Sequence, residues 1–156
     1  MSNFKSILLA IDLASAKRDQ AVAALQAQRD NQAFAQNQMD QLQQYAAETG
    51  LRWVNSAQKS TTPELLHHHY QFMTRLQQAV TLQQDVLAAT GAKVLAAEQQ
   101  VLQCEFRIAS LKLVLTKRQG DLTKLQHRQD QKQMDEFAAM QTLRQVRQKL
   151  ENSFDH

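Results

Sequence analysis

From Val80 onward an apolar residue returns at every seventh position, through Leu87, Val94, Val101, Ile108, Leu115 and Leu122, before the series turns polar at Gln129 and Glu136. A repeat of seven keeps one seam of a long helix against another helix, and its loss implies that the same helix then meets a different surface. Nearer the N-terminus, spacings of three and four connect Phe4, Leu8, Ile11, Val22, Leu25, Ala35, Met39, Leu42 and Ala46. That is a second helical seam, weak in its middle, where Arg18, Gln28 and Gln32 take core-type positions, so it needs a partner to be stable. Ser2 or Asn3 is placed to cap this helix and Gly50 to end it.

Residues 50–62, with Gly50, Asn55, Ser56, Ser60, Thr61 and Thr62, are the only stretch of turn composition. Thr62, Pro63 and Glu64 then make a helix start: a hydroxyl for an orphan N–H, a proline where no hydrogen bond is lost, and a carboxylate near the positive end of the dipole. No strong stop follows before Leu150. Gly91 and Gly120 each cost about 1 kcal/mol relative to Ala, which a continuous seam absorbs, and they mark candidate bends or close approaches. The pattern predicts an all-α chain, an antiparallel two-helix coiled-coil hairpin forming a single unit over 1–156. Helix 1 spans about 3–50, the bend about 50–62 and the longer helix 2 about 63–150, with a frayed end at 151–156.

Unequal lengths have a consequence. A bend near Ser56 sets Phe4 opposite Ile108 and leaves the chain beyond Leu111, ~40 residues or ~60 Å of helix, without a partner from helix 1. Leu115, Leu122, Leu125, Leu143, Val146 and Leu150 nevertheless keep an apolar stripe there, and stripes of that kind generally mean a partner surface.

Composition supports the hairpin over a globule. One Pro, three Gly and 6% aromatic residues leave little to punctuate strands or fill a three-dimensional core. The 26 Gln are dispersed between apolar positions as uncharged helix surface, not gathered into a low-complexity tract. A net charge of +3 does not demand a nucleic acid partner, although residues 112–156 hold nine Lys or Arg against six Asp or Glu. Cys104, the single cysteine, falls on the seam and rules out an internal disulfide framework. Ile7–Ile11 is cut short by Asp12 before it resembles a signal-peptide core, and no run approaches the ~20 apolar residues of a membrane span. The expectation is a cytosolic chain that neither binds nucleic acid nor inserts into a membrane.

Candidate chemistry is sparse. Consecutive His67, His68 and His69 point ~100° apart on a helix, so they do not make a metal site. Asp130, Asp135 and Glu136 lack a nucleophile or a converging pocket, and suit either a charged helix face or a recognition surface. Phe72, with Leu76 and Ala79, forms a short second stripe that is either the flank of a wide seam or a contact patch. Leu95, Leu102, Phe106 and Leu113 form a further stripe that either widens the core or faces a third helix or another chain. Tyr45 and Trp53 are placed to close the hairpin tip. No catalytic residue, cofactor or metal is expected.

The segment Arg128–Ala138, RQDQKQMDEFA, resembles the C-terminal motif of the flagellar export FliJ family. Tyr70, Phe72, Leu76, Ala79 and Val80 resemble the start of that family's second helix, and Gln41–Tyr45 the end of its first. The QKxMDEFA string carries most of the specificity, because no heptad rule requires it. The resemblance implies a non-enzymatic component of the flagellar type III export apparatus, a coiled coil similar to the stalk of rotary ATPases. It implies association with the export ATPase FliI, the export gate protein FlhA and export chaperones, at the cytoplasmic face of the inner membrane. The family's gate-contact patch carries over to Phe72, Leu76 and Ala79, with Gln83 where that patch has a His. The family-motif surface comprises Arg128, Asp130, Gln131, Lys132, Met134, Asp135, Glu136 and Phe137, assigned to the ATPase-facing end. The alternatives are the stalk protein of a virulence type III secretion system, a generic coiled-coil adaptor or homo-oligomeric filament and, third, a basic nucleic-acid-binding hairpin.

Overall fold

The computed structural model describes residues 2–155 and consists there of two helices, α1 (Ser2–Ala57) and α2 (Pro63–Phe154). α2 is the longer, as the heptad pattern implies. α1 does not stop at Gly50: it continues to Ala57, so the connection is confined to residues 58–62. Gly50 has no positive φ and sits within the helix at the cost of about 1 kcal/mol. The extra turns carry Trp53 onto His69, where the rings stack in parallel at 4.2 Å, and this contact rewards the continuation. At the far end α2 reaches Phe154, past the expected limit at Leu150, with Asp155 N–H donating to the Glu151 carbonyl at 3.2 Å. The remainder of the expected frayed end, His156, and the side chains of the candidate caps Ser2 and Asn3 lie outside the described residues.

Side-chain oxygens close the connection. Thr61 Oγ1 donates to the Ala57 carbonyl at 3.0 Å at the end of α1. Thr62 Oγ1 accepts the Leu65 N–H at 3.2 Å, the N-cap bond expected of a Thr before Pro63, while the Thr62 carbonyl accepts the Leu66 N–H. With α1 extended, the turn falls near Ser60, not Ser56, which moves the pairing along α2 by about two helical turns.

The chain divides into two compact units, Asp12–Ile108, and Met1–Ile11 together with Ala109–His156. In the first, the covered seam of α1 runs through Ala14, Arg18, Ala21, Leu25, Gln28, Gln32, Ala35, Met39, Leu42, Ala46, Thr49 and Trp53 in an alternation of three and four, with Ser15, Gly50 and Ala57 half-buried beside it. Val22, read as a seam residue, is 45% exposed, and Ala21 takes its place. The sequence reading followed bulk, whereas a narrow two-helix seam favours small residues that allow close approach. On α2 the buried or half-buried series runs through His69, Met73, Leu76, Val80, Gln83, Leu87, Thr90, Val94, Ala97, Val101, Cys104 and Ile108. Arg18, Gln28 and Gln32 do occupy seam positions, each half-buried.

In the second unit Phe4, Ile7, Ala10 and Ile11 of α1, and Ser110, Leu111 and Leu115 of α2, are buried or half-buried. Ile7 is the buried residue there, while Leu8, expected on the seam, is 49% exposed. From Thr116 to Asp155 every residue is exposed. The uncovered part of α2 thus begins after Leu115, one helical turn later than the Leu111 expected from sequence, and spans ~60 Å to Phe154.

Candidate interaction surfaces

The uncovered length of α2 keeps the heptad phase of the buried seam. Leu122, Leu125, Leu143, Val146 and Leu150 fall on the same two heptad positions as Val80, Cys104 and Ile108 and are all exposed. Between the two apolar groups the seam is polar: Gln129, Lys132 and Glu136, with Ala139 the small exception. The family-motif residues divide by helical phase. Lys132 and Glu136 lie on the seam, and Arg128 and Asp135 on one flank of it. Asp130, Met134 and Phe137 lie on the opposite face, and Gln131 is turned toward that side. Met134 and Phe137, 69% and 63% exposed, line a shallow surface groove with Asp130, Gln133, Ala138 and Gln141. Large apolar side chains this exposed, bordered by a carboxylate and amides, suit the reception of another protein surface.

Around the start of α2, the patch predicted as Phe72, Leu76, Ala79 and Gln83 is sorted by depth. Leu76 is buried on the seam at 8% exposure, so it supports the patch from beneath instead of presenting it. Ala79 is half-buried, and Phe72 remains 39% exposed while packing edge-on against Tyr45, ring centroids 6.0 Å apart. Gln83 is half-buried and turned inward: its Nε2 donates to the Ala35 carbonyl at 2.8 Å and to Gln38 Oε1 at 3.3 Å. A polar group at a seam position that finds its partner only in one alignment specifies register. The neighbouring exposed face of α2, with Tyr70, Met73, Thr74, Gln77, Gln78, Thr81 and Leu82, forms a second shallow apolar groove. Sequence reasoning missed Leu82, whose spacing from Tyr70 carries no heptad signal.

The aromatic residues near the turn close the end of the seam, Tyr45 on Phe72 and Trp53 on His69. His69 is thereby drawn into a stack, while His67 and His68 are exposed. Among the described residues no group of three or more His, Cys, Asp or Glu side chains gathers to hold a metal. Leu95, Leu102 and Phe106 are exposed, so their stripe does not widen the core of the first unit, and Leu113 is exposed in the second. Cys104 is buried on the seam as a free thiol, its Sγ accepting from Gln100 Nε2 at 4.0 Å. No helix among the described residues is long and apolar enough to cross a membrane.

These observations define a class: a helical hairpin whose chemistry lies in exposed helix faces. The family model for the flagellar FliJ protein matches residues 4–147. The chain belongs to the FliJ family, and with it to the flagellar type III protein export apparatus. No curated protein and no solved structure matches it.

Proposed function

We propose that this chain is a stalk-like, non-enzymatic member of the export apparatus, which binds the FliI ATPase ring through the uncovered length of α2 and reaches the FlhA gate and the export chaperones with other surfaces. The observation that carries the reading is the run from Thr116 to Asp155, in which every residue is exposed although Leu122, Leu125, Leu143, Val146 and Leu150 keep the seam phase. A helix that presents apolar side chains over ~60 Å is suited to insertion along a complementary surface, such as the lumen of a ring. Met134 and Phe137 are the anchors, since large apolar side chains in a central, desolvated contact carry most of the binding energy of an interface. Phe72 is the presented member of the gate-facing patch, held in position by Tyr45 and backed by Leu76 and Ala79. Such an assembly places the chain at the cytoplasmic face of the inner membrane, at the flagellar base.

The test is a pull-down of the full chain with the cognate export ATPase, and the hydrolysis rate with and without it. Binding that falls at least tenfold in Met134→Ala with Phe137→Ala, about 1.4 kcal/mol or more, supports the reading. Absence of both binding and a rate effect removes it. Phe72→Ala is expected to weaken gate capture and leave ATPase capture unchanged. The reverse pattern would exchange the two ends.

A further inference from the structure

The uncovered seam of α2 is self-complementary when reversed, and we infer that it is an antiparallel homodimer interface, occupied by the same segment of a second copy of this chain. In an antiparallel coiled coil the two seam positions of the heptad face each other across a two-fold axis. One alignment places Leu122 opposite the second copy's Val146, Leu125 opposite its Leu143, and Gln129 opposite its Ala139. At the centre of that alignment Lys132 meets Glu136 of the other copy, and by symmetry Glu136 meets Lys132. The polar break is then the place on the seam itself where a reversed copy supplies the opposite charge. Arg118, opposite Leu150, lies where its aliphatic stem can cover the leucine while the guanidinium reaches water.

The alternatives are worse. Shifting the alignment by one heptad in either direction sets Leu125 against Glu136, or Leu143 against Lys132, and separates the opposite charges at the centre. A parallel pairing stacks Lys132 on Lys132 and Glu136 on Glu136. The flanking row agrees with the antiparallel choice at its two ends. Asp121, Arg128, Asp135, Thr142 and Lys149 follow one another along one edge, so this alignment brings Lys149 of the reversed copy toward Asp121 and its Thr142 toward Arg128, while the Asp135 side chains of the two copies meet at the axis with Lys132 of the opposite copy alongside. Lengths agree too: the end of the second copy's α2, at Phe154, falls level with Val114, beside the half-buried Leu115 at which cover from α1 gives out. Asp130, Met134 and Phe137 lie on the opposite face and stay accessible in the pair. The pairing is isologous and closed, so it stops at two chains.

Analytical ultracentrifugation of the full chain, from about 1 µM to about 200 µM, tests this. A concentration-dependent monomer–dimer equilibrium is expected. Lys132→Glu alone and Glu136→Lys alone each place like charges across the axis and should raise the dissociation constant at least about tenfold. An equimolar mixture of the two variants should associate as tightly as the parent, because each then offers the other's missing charge. Both positions are exposed, so helicity by circular dichroism should be unchanged in either variant. A parent chain that stays monomeric throughout overturns the inference. So do single variants that dimerise like the parent, and a mixture no tighter than its components. The pair covers the stripe that the proposed function gives to the ATPase, so it is the state of the chain away from the ring; because no ATPase is present, these outcomes are separate from those of the pull-down.

Discussion

α2 carries one heptad through two environments. Over 69–108 its seam is buried or half-buried, with Leu76, Val80, Val94, Cys104 and Ile108 at 5–8% exposure. Over 116–154 residues in the same heptad phase are uncovered, from Leu122 at 38% to Leu143 at 66%. Sequence periodicity is indifferent to the change, so the repeat reports that a partner exists and not where it comes from. Mutations of one chemical kind should therefore have opposite consequences in the two stretches: loss of the fold in the first, loss of association in the second.

The largest contrast comes from introducing charge. Met39 is 3% exposed, with Ala35 and Leu42 as its seam neighbours and no cation among them, so Met39→Asp should cost about 3–5 kcal/mol and unfold the hairpin at ordinary temperature. Leu143→Asp should change the free energy of urea unfolding by no more than about 0.5 kcal/mol, because the side chain is already in water. Circular dichroism separates the two. Equal destabilisation by both would mean that the uncovered seam is internally buried in solution.

Truncation extends the contrast at lower amplitude. Ile108→Ala removes a branched side chain held at 5% exposure and should cost about 2 kcal/mol, at the low end for a leucine-sized deletion because a two-helix seam is open at its sides. Leu122→Ala should be near neutral for the unfolding midpoint. Its effect should appear only in association with a partner or a second copy.

How much of this was legible in the sequence follows from the same contrast. The heptad from Val80 to Leu122 was enough for the hairpin and for the unpaired length of α2, because periodicity is set by geometry common to all coiled coils. The seam of α1 was traced partly through Leu8 and Val22, yet Ile7, Ala14 and Ala21 are the covered residues. In a narrow seam a methyl group can be the core, and nothing local distinguishes it from a surface alanine. Gly50 looked like a stop because glycine usually is one; the stack of Trp53 on His69, which pairs residues distant in sequence, overrides it. Leu76 was assigned to a presented patch and proves to lie beneath it, since the sequence does not separate seam from shoulder. The uncovered residues around Lys132 and Glu136 were visible as a break in the seam. Their fit to a reversed copy appears only once the heptad phase is followed to Leu150.

Gln83 offers a smaller and more diagnostic test within the covered stretch. Gln83→Ala removes the bonds to the Ala35 carbonyl and to Gln38, and should cost about 1 kcal/mol. Gln83→Leu fills the same seam position with apolar volume and should be neutral or stabilising, while loosening the choice of register. Exchange or cross-linking measurements that find a second alignment of α1 on α2 in Gln83→Leu, and none in the parent, would identify the glutamine as the register pin. A large loss of stability in Gln83→Leu would show instead that the site has no room for a branched chain.

The smallest expected effects come from the glycines, and they return to the same comparison. A Cβ at Gly91 would meet Gln32 Nε2 at 3.8 Å, an ordinary contact, and one at Gly120 would meet nothing within 4 Å. Neither position needs a positive φ, so Ala is acceptable at both and gains about 1 kcal/mol of helix propensity. The two gains should register differently. Gly91→Ala lies in the covered hairpin and should raise the global unfolding midpoint by nearly the full amount. Gly120→Ala lies where α2 has no internal partner, and an isolated helical stretch frays independently of global unfolding. It should slow amide hydrogen exchange in the residues around it and leave the midpoint almost unmoved. If the two variants shift the midpoint equally, the uncovered length of α2 unfolds together with the hairpin, and its cooperativity must come from a contact that a second copy would supply.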